Sequence, residues 1–147
     1  MNILVPDASV ILKWTLPPKN EQWILQSLAL RDAMVESKVR LLVPSLWLFE
    51  VGNTLQRKFP ESASKRLSFL IRYGLTESTI TTTIRARAFE LCTNHGVSFY
   101  DACYHALAIA RDGTFITADE KHLRLAGSSG NICHIRDWQA PQPCSHH

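Results

Sequence analysis

The sequence predicts one α/β domain built in three layers, with a five-stranded, mostly parallel sheet between helices on both faces. Short apolar runs of strand length alternate with stretches whose apolar residues recur every three or four positions. In addition, 46% of the 147 residues are hydrophobic, which is enough to bury one core of domain size. We place this domain at residues 1–138 and expect the polar, proline-containing residues 139–147 to form a disordered tail.

The first half of the chain alternates between predicted strands and helices. Asn2 to Val5 is a short apolar run, and the helix that follows it is expected to end before Pro17. Ser45 is expected to act as the N-cap of the helix after the second strand. The predicted elements are a strand at 2–5, helices at 9–16 and 22–38, a strand at 39–43 and a helix from Ser45 to about Lys58.

The second half continues the same alternation. Asn94, His95 and Gly96 form a helix stop, and Asp112 with Gly113 forms a turn before an apolar strand. The predicted elements are a helix at 61–72, a strand at 74–80, helices at 82–94 and 98–111, a strand at 114–118, a short helix at 119–126 and a strand at 132–135. Strands alternating with helices in this way are typical of parallel sheets covered on both faces.

Composition narrows the class of protein without naming a function. The chain has 16 Lys and Arg against 13 Asp and Glu, a mildly basic balance that is weak support for a polyanionic partner. Cys92, Cys103, Cys133 and Cys144 show no zinc-like spacing, so we expect reduced thiols. No apolar run approaches 18 residues and no basic leader precedes one, so we expect a cytoplasmic protein without a membrane segment.

Four acidic residues stand where predicted strands and helices meet. Asp7 follows the first strand and Asp119 follows the fourth, while Glu50 lies about two turns into the helix after the second strand. Asp101 lies in the first turn of the helix before the fourth strand. Ligands of open parallel sheets bind outside the carboxyl ends of the strands. All four side chains can therefore reach one cleft.

Helix capping is an alternative explanation for three of these acids. Asp7 and Asp119 can each cap the helix that follows, and Asp101 stands three residues after Ser98 in an arrangement that resembles a capping box. Glu50 is different, because it lies within LWLFEVGNTL, where an ionised carboxylate is costly without a cation, hydrogen bonds or water. Glu50 therefore favours a functional site on its own.

Other polar residues lie beside the acids. Leu46, Glu50, Asn53 and Arg57 share one face of a helix, which is either a solvated face or a set that orients a ligand and receives phosphate. Ser9 and Thr117 are hydroxyls two residues from Asp7 and Asp119; each can cap a backbone group or hold a water molecule.

Basic and aromatic residues near the acids leave two interpretations open. Lys13 and Arg57 are candidates for binding RNA phosphates, although for each alone we favour an ordinary solvated charge. The aromatic residues that flank the acids can be core, stack an unpaired base or form a groove for a protein partner. They are Trp14, Trp47, Phe49 and Tyr100, and for Trp14 and Phe49 we favour core or partner contact.

Four sequence blocks in order resemble the PIN-domain ribonucleases, specifically the VapC-like toxins of type II toxin-antitoxin systems. The blocks are LVPDASVILKW, PSLWLFEVGNTL, VSFYDACYHALA and FITADEKHL, and they spread over nearly the whole of the predicted domain. The resemblance implies the PIN-like version of the predicted fold, a site for Mg²⁺ or Mn²⁺, and endonucleolytic cleavage of RNA. It also implies inhibition by a cognate VapB-like antitoxin and frequent homodimerisation.

The resemblance also implies a role for each matching residue. Asp7, Glu50, Asp101 and Asp119 match the catalytic and metal-binding acidic quartet, with Ser9, Asn53 and Thr117 as supporting residues. Glu120 is a candidate further acid. Carboxylate oxygens suit magnesium or manganese. We expect a metal-activated water to attack in line and leave a 5′-phosphate and a 3′-hydroxyl. Crowding of the acids should raise some of their pKa values in the metal-free protein.

Rival interpretations predict different patterns around the first strand. Enzymes that form an aspartyl-phosphate show a D-x-D step there, whereas this chain has Asp7, Ala8 and Ser9. Receiver domains need an acidic pair after the first strand and their phosphorylated aspartate on a later one. The remaining alternatives share the PIN fold: a non-catalytic module that binds RNA or protein, and a nuclease that processes RNA outside a toxin-antitoxin pair.

Overall fold

Five parallel strands form one sheet in the order β3-β2-β1-β4-β5. The computed structural model describes residues 1–17 and 22–142. The strands are β1 Asn2–Pro6, β2 Val39–Pro44, β3 Thr76–Ser78, β4 Thr114–Thr117 and β5 Ile132–His134. The predicted fold class is confirmed, and every pair of neighbouring strands is parallel.

Helices cover both faces of the sheet. They are α1 Ala8–Leu12, α2 Ile24–Val35, α3 Leu46–Lys58, α4 Ala63–Ile71, α5 Thr82–His95, α6 Phe99–Ala110 and α7 Glu120–Ala126, with 3₁₀ turns at Gly127–Ser129 and Ile135–Asp137. Successive strand residues point to opposite faces, and the consecutive Leu41, Leu42 and Val43 of β2 are all at most 2% exposed. Burial on both sides is what a three-layer arrangement requires.

The pairing of β1 with β4 positions the site. Leu4 lies opposite Thr114 and Pro6 opposite Ile116, and the Asp7 amide donates to the Ile116 carbonyl at 3.0 Å. The turn before β4 approaches β1 so closely that a Cβ on Gly113 would lie 2.5 Å from the Ile3 carbonyl oxygen. A side chain cannot be accommodated there without moving backbone, so this glycine permits the close approach of the two strands.

Three element predictions are corrected. The helix expected at 9–16 ends at Leu12, because the amides of Lys13, Trp14 and Thr15 bond three residues back, as tight turns do. Ser45 occupies the N-cap position but its side chain makes no capping bond, and its backbone is already helical. The strand expected at 74–80 is only Thr76–Ser78.

The last described residues follow the 3₁₀ turn at Ile135–Asp137. Residues 138–142 have no regular secondary structure, while residues 143–147, including Cys144 and most of the predicted tail, lie outside the described residues. Cys92, Cys103 and Cys133 are free thiols, as predicted. Within residues 1–17 and 22–142, no helix is both long enough and apolar enough to cross a membrane.

Candidate active site

The four predicted acids line one cleft at the carboxyl edge of the sheet. The cleft has a volume of about 730 Å³ and is lined by residues of α1, α3 and α6 together with Asp7 and Asp119, which follow β1 and β4. Glu50 and Asp101 face it from α3 and α6. The structure thus brings together residues that are separated by more than one hundred positions in the sequence.

Asp7 is both a helix cap and a cleft residue. Its Oδ1 accepts hydrogen bonds from the Val10 amide at 3.1 Å, which caps α1, and from the Ser9 hydroxyl at 2.5 Å. Its Oδ2 accepts the Thr117 hydroxyl of β4 at 2.5 Å. The capping and site interpretations were alternatives for this residue, and the geometry satisfies both.

Burial changes the ionisation of Asp7. Asp7 is only 5% exposed, and loss of solvation raises the pKa of its carboxyl from 3.8 to about 6. The hydrogen bonds from Ser9, Thr117 and Val10 oppose this increase. Repulsion by Asp101 adds a smaller increase. A raised pKa was expected from crowding of the acids, but desolvation is the larger cause. Asp7 therefore becomes fully anionic more easily when a cation is present.

Glu50 is held by a residue that was not predicted. The Tyr104 hydroxyl of α6 donates to Glu50 Oε1 at 2.8 Å and joins α6 to α3. Burial raises the pKa of Glu50, the Tyr104 hydrogen bond opposes this, and Asp101 and Asp7 raise it further. Tyr104 is itself fully buried, and burial followed by the negative Glu50 raises the pKa of its phenol, which stays a donor. Its position three residues after Asp101, on the same face of a predicted helix, was the available sequence signal.

Asp101 and Asp119 stand at the starts of α6 and α7. The Asp101 amide donates to the Ser98 hydroxyl at 3.2 Å, and burial raises the pKa of the Asp101 carboxyl, with Ser98 lowering it and Asp119 raising it. Asp119 Oδ1 caps α7 by accepting the amides of Lys121 at 2.9 Å and His122 at 3.2 Å. The capping role of Asp119 therefore coexists with a place in the cleft, whereas Asp101 lines the cleft and its helix is capped by Ser98.

Thr117 connects two of the acids. Its hydroxyl donates to Asp7 Oδ2 and accepts the Asp119 amide at 3.0 Å, and the residue is completely buried. Ser9, Asn53 and Arg57 line the cleft as well. The predicted supporting residues therefore lie at the site, with Thr117 beneath the acids rather than at the surface.

Two charged residues that were candidates for the site do not line the cleft. Lys13, which the sequence favoured as a solvated charge and left as a candidate for binding RNA, is only 7% exposed and does not line the cleft. Glu120 is absent from the lining of the cleft; its side chain is 70% exposed and pairs with Arg136 at 3.0 Å. Neither residue joins the site in this arrangement.

The donor set fits a hard divalent cation. All four acids offer carboxylate oxygens, the ligands that magnesium and manganese prefer. Burial raises the pKa of three of them, which a bound cation would reverse. As they stand, no three acidic, histidine or cysteine side chains in the described part of the chain converge closely enough to hold an ion. Binding therefore needs small side-chain movements or bridging waters.

Comparison with known proteins establishes the family. Residues 4–128 match the family model described as the PIN domain. The chain belongs to the PIN domain family. The match runs from within β1 to the 3₁₀ turn at Gly127–Ser129, and it includes every acid of the cleft. The family predicted from four short blocks is therefore confirmed.

Solved structures share the fold of this PIN domain at low sequence identity. FitAcB from Neisseria gonorrhoeae has a TM-score of 0.65 at 15% identity, over 92% of this chain and 99% of that one. VapBC2 from Rickettsia felis, bound to a promoter DNA fragment, scores 0.64 at 16% identity over 90% and 96%. VapC20 of Mycobacterium tuberculosis, a sarcin-ricin loop cleaving toxin, scores 0.63 at 13% identity over 88% and 96%. No curated protein matches the sequence.

Proposed function

We propose that this PIN domain is a VapC-like, metal-dependent endoribonuclease that cleaves RNA phosphodiesters at its acidic cleft. The observation that carries the proposal is that Asp7, Glu50, Asp101 and Asp119 line one cleft, three of them with raised pKa values. Capping alone does not require acids from four separate elements to share a cavity.

The acids of the cleft are proposed to hold Mg²⁺ or Mn²⁺. A divalent ion would lower the pKa of water and neutralise charge that develops on the phosphate and the leaving oxygen. Three hydrogen bonds fix the Asp7 carboxylate, so its orientation is set before any ligand arrives. Thr117 links this acid to the backbone of Asp119, which keeps the ends of β1 and β4 aligned.

Glu50 is suited to receive the proton of the attacking water. Burial raises its pKa above the ordinary value, and the Tyr104 hydroxyl bonds to Oε1, so Oε2 is the oxygen proposed to accept the proton. Arg57, an exposed residue on the same helix, supplies a guanidinium for a substrate phosphate. Attack in line with the leaving 3′ oxygen, which takes up a proton from solvent, then gives a 5′-phosphate and a 3′-hydroxyl.

A VapB-like antitoxin that covers the cleft is proposed as the physiological partner. Support comes from the predicted resemblance and from similar solved structures that include a VapBC pair bound to promoter DNA and a FitAB pair bound to DNA. Homodimerisation and a cytoplasmic location stay predictions. Sedimentation of the purified chain, and its co-purification with the product of an adjacent gene, would test the partner and the oligomeric state.

Cleavage of total RNA tests the enzymatic proposal directly. The purified chain, free of antitoxin, is incubated with Mg²⁺ or Mn²⁺ beside Asp7→Asn, Glu50→Gln and Asp101→Asn. We expect each cleft variant to lose at least about a hundredfold in rate, because each removes an anion that the reaction needs. Matched exchanges at exposed acids outside the cleft, Asp32→Asn and Glu90→Gln, should cleave like the unaltered chain.

The outcomes separate the rival functions. Cleavage that survives the cleft variants, or that needs no metal, contradicts the proposed chemistry. A folded chain that cuts no RNA, with binding of Mn²⁺ unchanged by the cleft variants, supports the non-catalytic binding module. Specific cleavage without any antitoxin partner supports a nuclease of RNA processing.

A further inference from the structure

Two aromatic side chains stand in the cleft without being part of the core. Phe49 is 72% exposed and Tyr100 is 63% exposed, and both line the cavity that contains the acids. Each directly precedes an acid of the quartet, Phe49 before Glu50 on α3 and Tyr100 before Asp101 on α6. One aromatic ring therefore belongs to each of the two helical walls.

Packing within the protein does not account for these rings. The other aromatic residues that flank the acids, Trp14 and Trp47, are 5% and 3% exposed. Exposed Phe69 on α4 packs edge-on against Tyr73. In the described residues, by contrast, no aromatic ring contacts Phe49 or Tyr100. Exposed aromatic surface in a cleft is a feature of binding sites.

The wall formed by α3 carries groups that complement a nucleotide. Phe49, Asn53 and Arg57 follow one another at intervals of four residues, so they share one helix face over about 12 Å. All three are exposed and line the cleft. An aromatic ring stacks on a base, an amide bonds to a base edge or a 2′-hydroxyl, and a guanidinium pairs with a phosphate. A groove for an apolar peptide would not need the polar side chains of Asn53 and Arg57.

We propose that Phe49 and Tyr100 are base-stacking platforms on the two sides of the acidic cleft, and that the substrate enters as an unpaired segment of RNA. The choice of RNA rests on the proposed function. Bases in a duplex stack on one another and cannot present their faces to protein rings, whereas unpaired bases can. The cleft thereby selects loops, bulges or ends without reading a particular base.

The bond between Glu50 and Tyr104 fixes the platforms relative to the acids. The 2.8 Å contact joins α3 to α6, so the wall with Phe49 and the wall with Tyr100 are held at a set separation. A strand whose bases stack on both walls must carry the intervening phosphate past the acids. Tyr104 is therefore a positioning residue for both platforms.

Fluorescence of a base analogue tests the inference. A short single-stranded RNA containing 2-aminopurine is titrated with Asp101→Asn protein in Mg²⁺, which binds RNA without cutting it if the proposed function holds. In this background we expect Phe49→Ala and Tyr100→Ala each to reduce quenching of the probe and to raise Kd about tenfold. Phe69→Ala removes an exposed phenylalanine outside the cleft and should change neither value.

Conservative exchanges distinguish stacking from apolar contact. Phe49→Trp should restore quenching because it keeps a π face, whereas Phe49→Leu should not, although it keeps apolar bulk. Equal behaviour of Leu and Phe, or unchanged quenching in both alanine variants, overturns the inference and is the result expected if the wall binds a protein partner. Perfect duplex RNA should bind with the same Kd to all variants.

The experiment also separates this inference from the proposed function. If the unaltered chain cuts no RNA but quenching still depends on Phe49 and Tyr100, the nuclease proposal fails and the stacking inference stands. If the chain cuts RNA, while the alanine variants in the catalytically intact background keep the same KM and the same quenching, only the stacking inference fails.

Discussion

The acidic cleft and a buried histidine pair both contain desolvated titratable side chains, but they differ in where those side chains find partners. His105 on α6 and His122 on α7 are 0% and 2% exposed. The His105 Nδ1 and His122 Nε2 atoms are 3.1 Å apart, and His105 Nε2 lies 2.8 Å from the Gly130 carbonyl. Since a carbonyl only accepts, His105 Nε2 carries a proton and Nδ1 accepts one from His122.

Burial favours the neutral form of the side chains in both regions. The histidines, however, bond to one another inside the protein, whereas the acids line the open cleft. Desolvation lowers the pKa of both histidines and raises the pKa of Asp7, Glu50 and Asp101. The histidines satisfy one another and a backbone carbonyl inside the protein. The acids face an open cavity, where a cation from solution can restore their charge. A buried titratable group with partners inside the protein has a structural role, whereas one beside an open cavity indicates a binding site for a ligand.

The largest expected effect on stability comes from breaking the buried histidine pair. Replacing His105 with Ala removes a fully buried ring, leaves a cavity and deprives His122 and the Gly130 carbonyl of their partner. We expect a loss of about 3 to 4 kcal/mol in the free energy of unfolding, measured by urea denaturation at neutral pH. His95→Ala, which removes a half-buried ring bonded to Ser129, should cost less. A full loss of RNA cleavage without a loss of stability would place His105 in the active site instead.

Stability of the metal-free protein should fall as pH rises through the pKa range of Asp7. Its folded pKa of about 6 exceeds the ordinary value of 3.8, so the folded state binds the proton more tightly and ionisation favours unfolding. The stability that protonation contributes is complete below about pH 4 and lost above about pH 6, roughly 3 kcal/mol in all. Urea denaturation with a chelator, at a series of pH values, measures the slope.

Asp7→Asn is the variant that isolates this slope. It removes the ionisation and should flatten the decline between about pH 4 and 6. The histidine pair contributes the opposite slope, because lowered histidine pKa values make the protein less stable as pH falls below about 6.5. An unchanged profile in Asp7→Asn would show that its raised pKa does not govern stability in this range.

Removing the Thr117 hydroxyl should weaken metal binding in the cleft without abolishing it. Thr117→Val keeps the shape of the side chain but takes from Asp7 the donor at its Oδ2 and from the Asp119 amide its acceptor. We expect about a tenfold loss in affinity for Mn²⁺, measured by calorimetry. Thr114→Val, at the opposite end of the same strand, is the control and should bind like the unaltered chain. Equal losses in both would attribute the effect to the strand as a whole.

The smallest effect is expected at Glu120. Its side chain is 70% exposed and pairs with Arg136 on the surface, so Glu120→Gln should change the free energy of unfolding by less than about 0.5 kcal/mol. Its RNA cleavage rate should also be unchanged. A rate reduced tenfold would instead bring Glu120 into the chemistry as a further acid.

The fold and the position of the acids were predictable because they depend on hydrophobic periodicity and on the cost of burying a charge. Alternating strands and helices led to the five-stranded parallel sheet, and the rule on carboxyl ends of strands led to the shared cleft of Asp7 and Asp119. Glu50 was identified because its apolar surroundings left no ordinary explanation. These inferences rest on periodicity and on the cost of burying charge, which depend little on tertiary detail.

Features that depend on tertiary contacts were missed. The burial of Lys13 follows from the turns that end α1 early, where the Trp14 indole reaches the Ser27 carbonyl at 2.9 Å. Tyr104 could not be assigned to Glu50 because the two residues meet only when α3 and α6 pack. Phe49 was expected in the core or against a partner; its 72% exposure excludes the core, and contact with a partner stays a prediction.

Gly113, at the end of the sheet away from the cleft, affects the geometry of the acids through the register of β1 and β4. The hydroxyl of Thr117 reaches Asp7 only because Leu4 stands opposite Thr114, and that register depends on a turn where even a methyl group would meet the Ile3 backbone. Strand side chains alternate between faces, so a slip of one residue would turn Thr117 away from Asp7. A defect at the site can therefore originate about 10 Å from the nearest acid of the cleft, at the amino-terminal end of the strands.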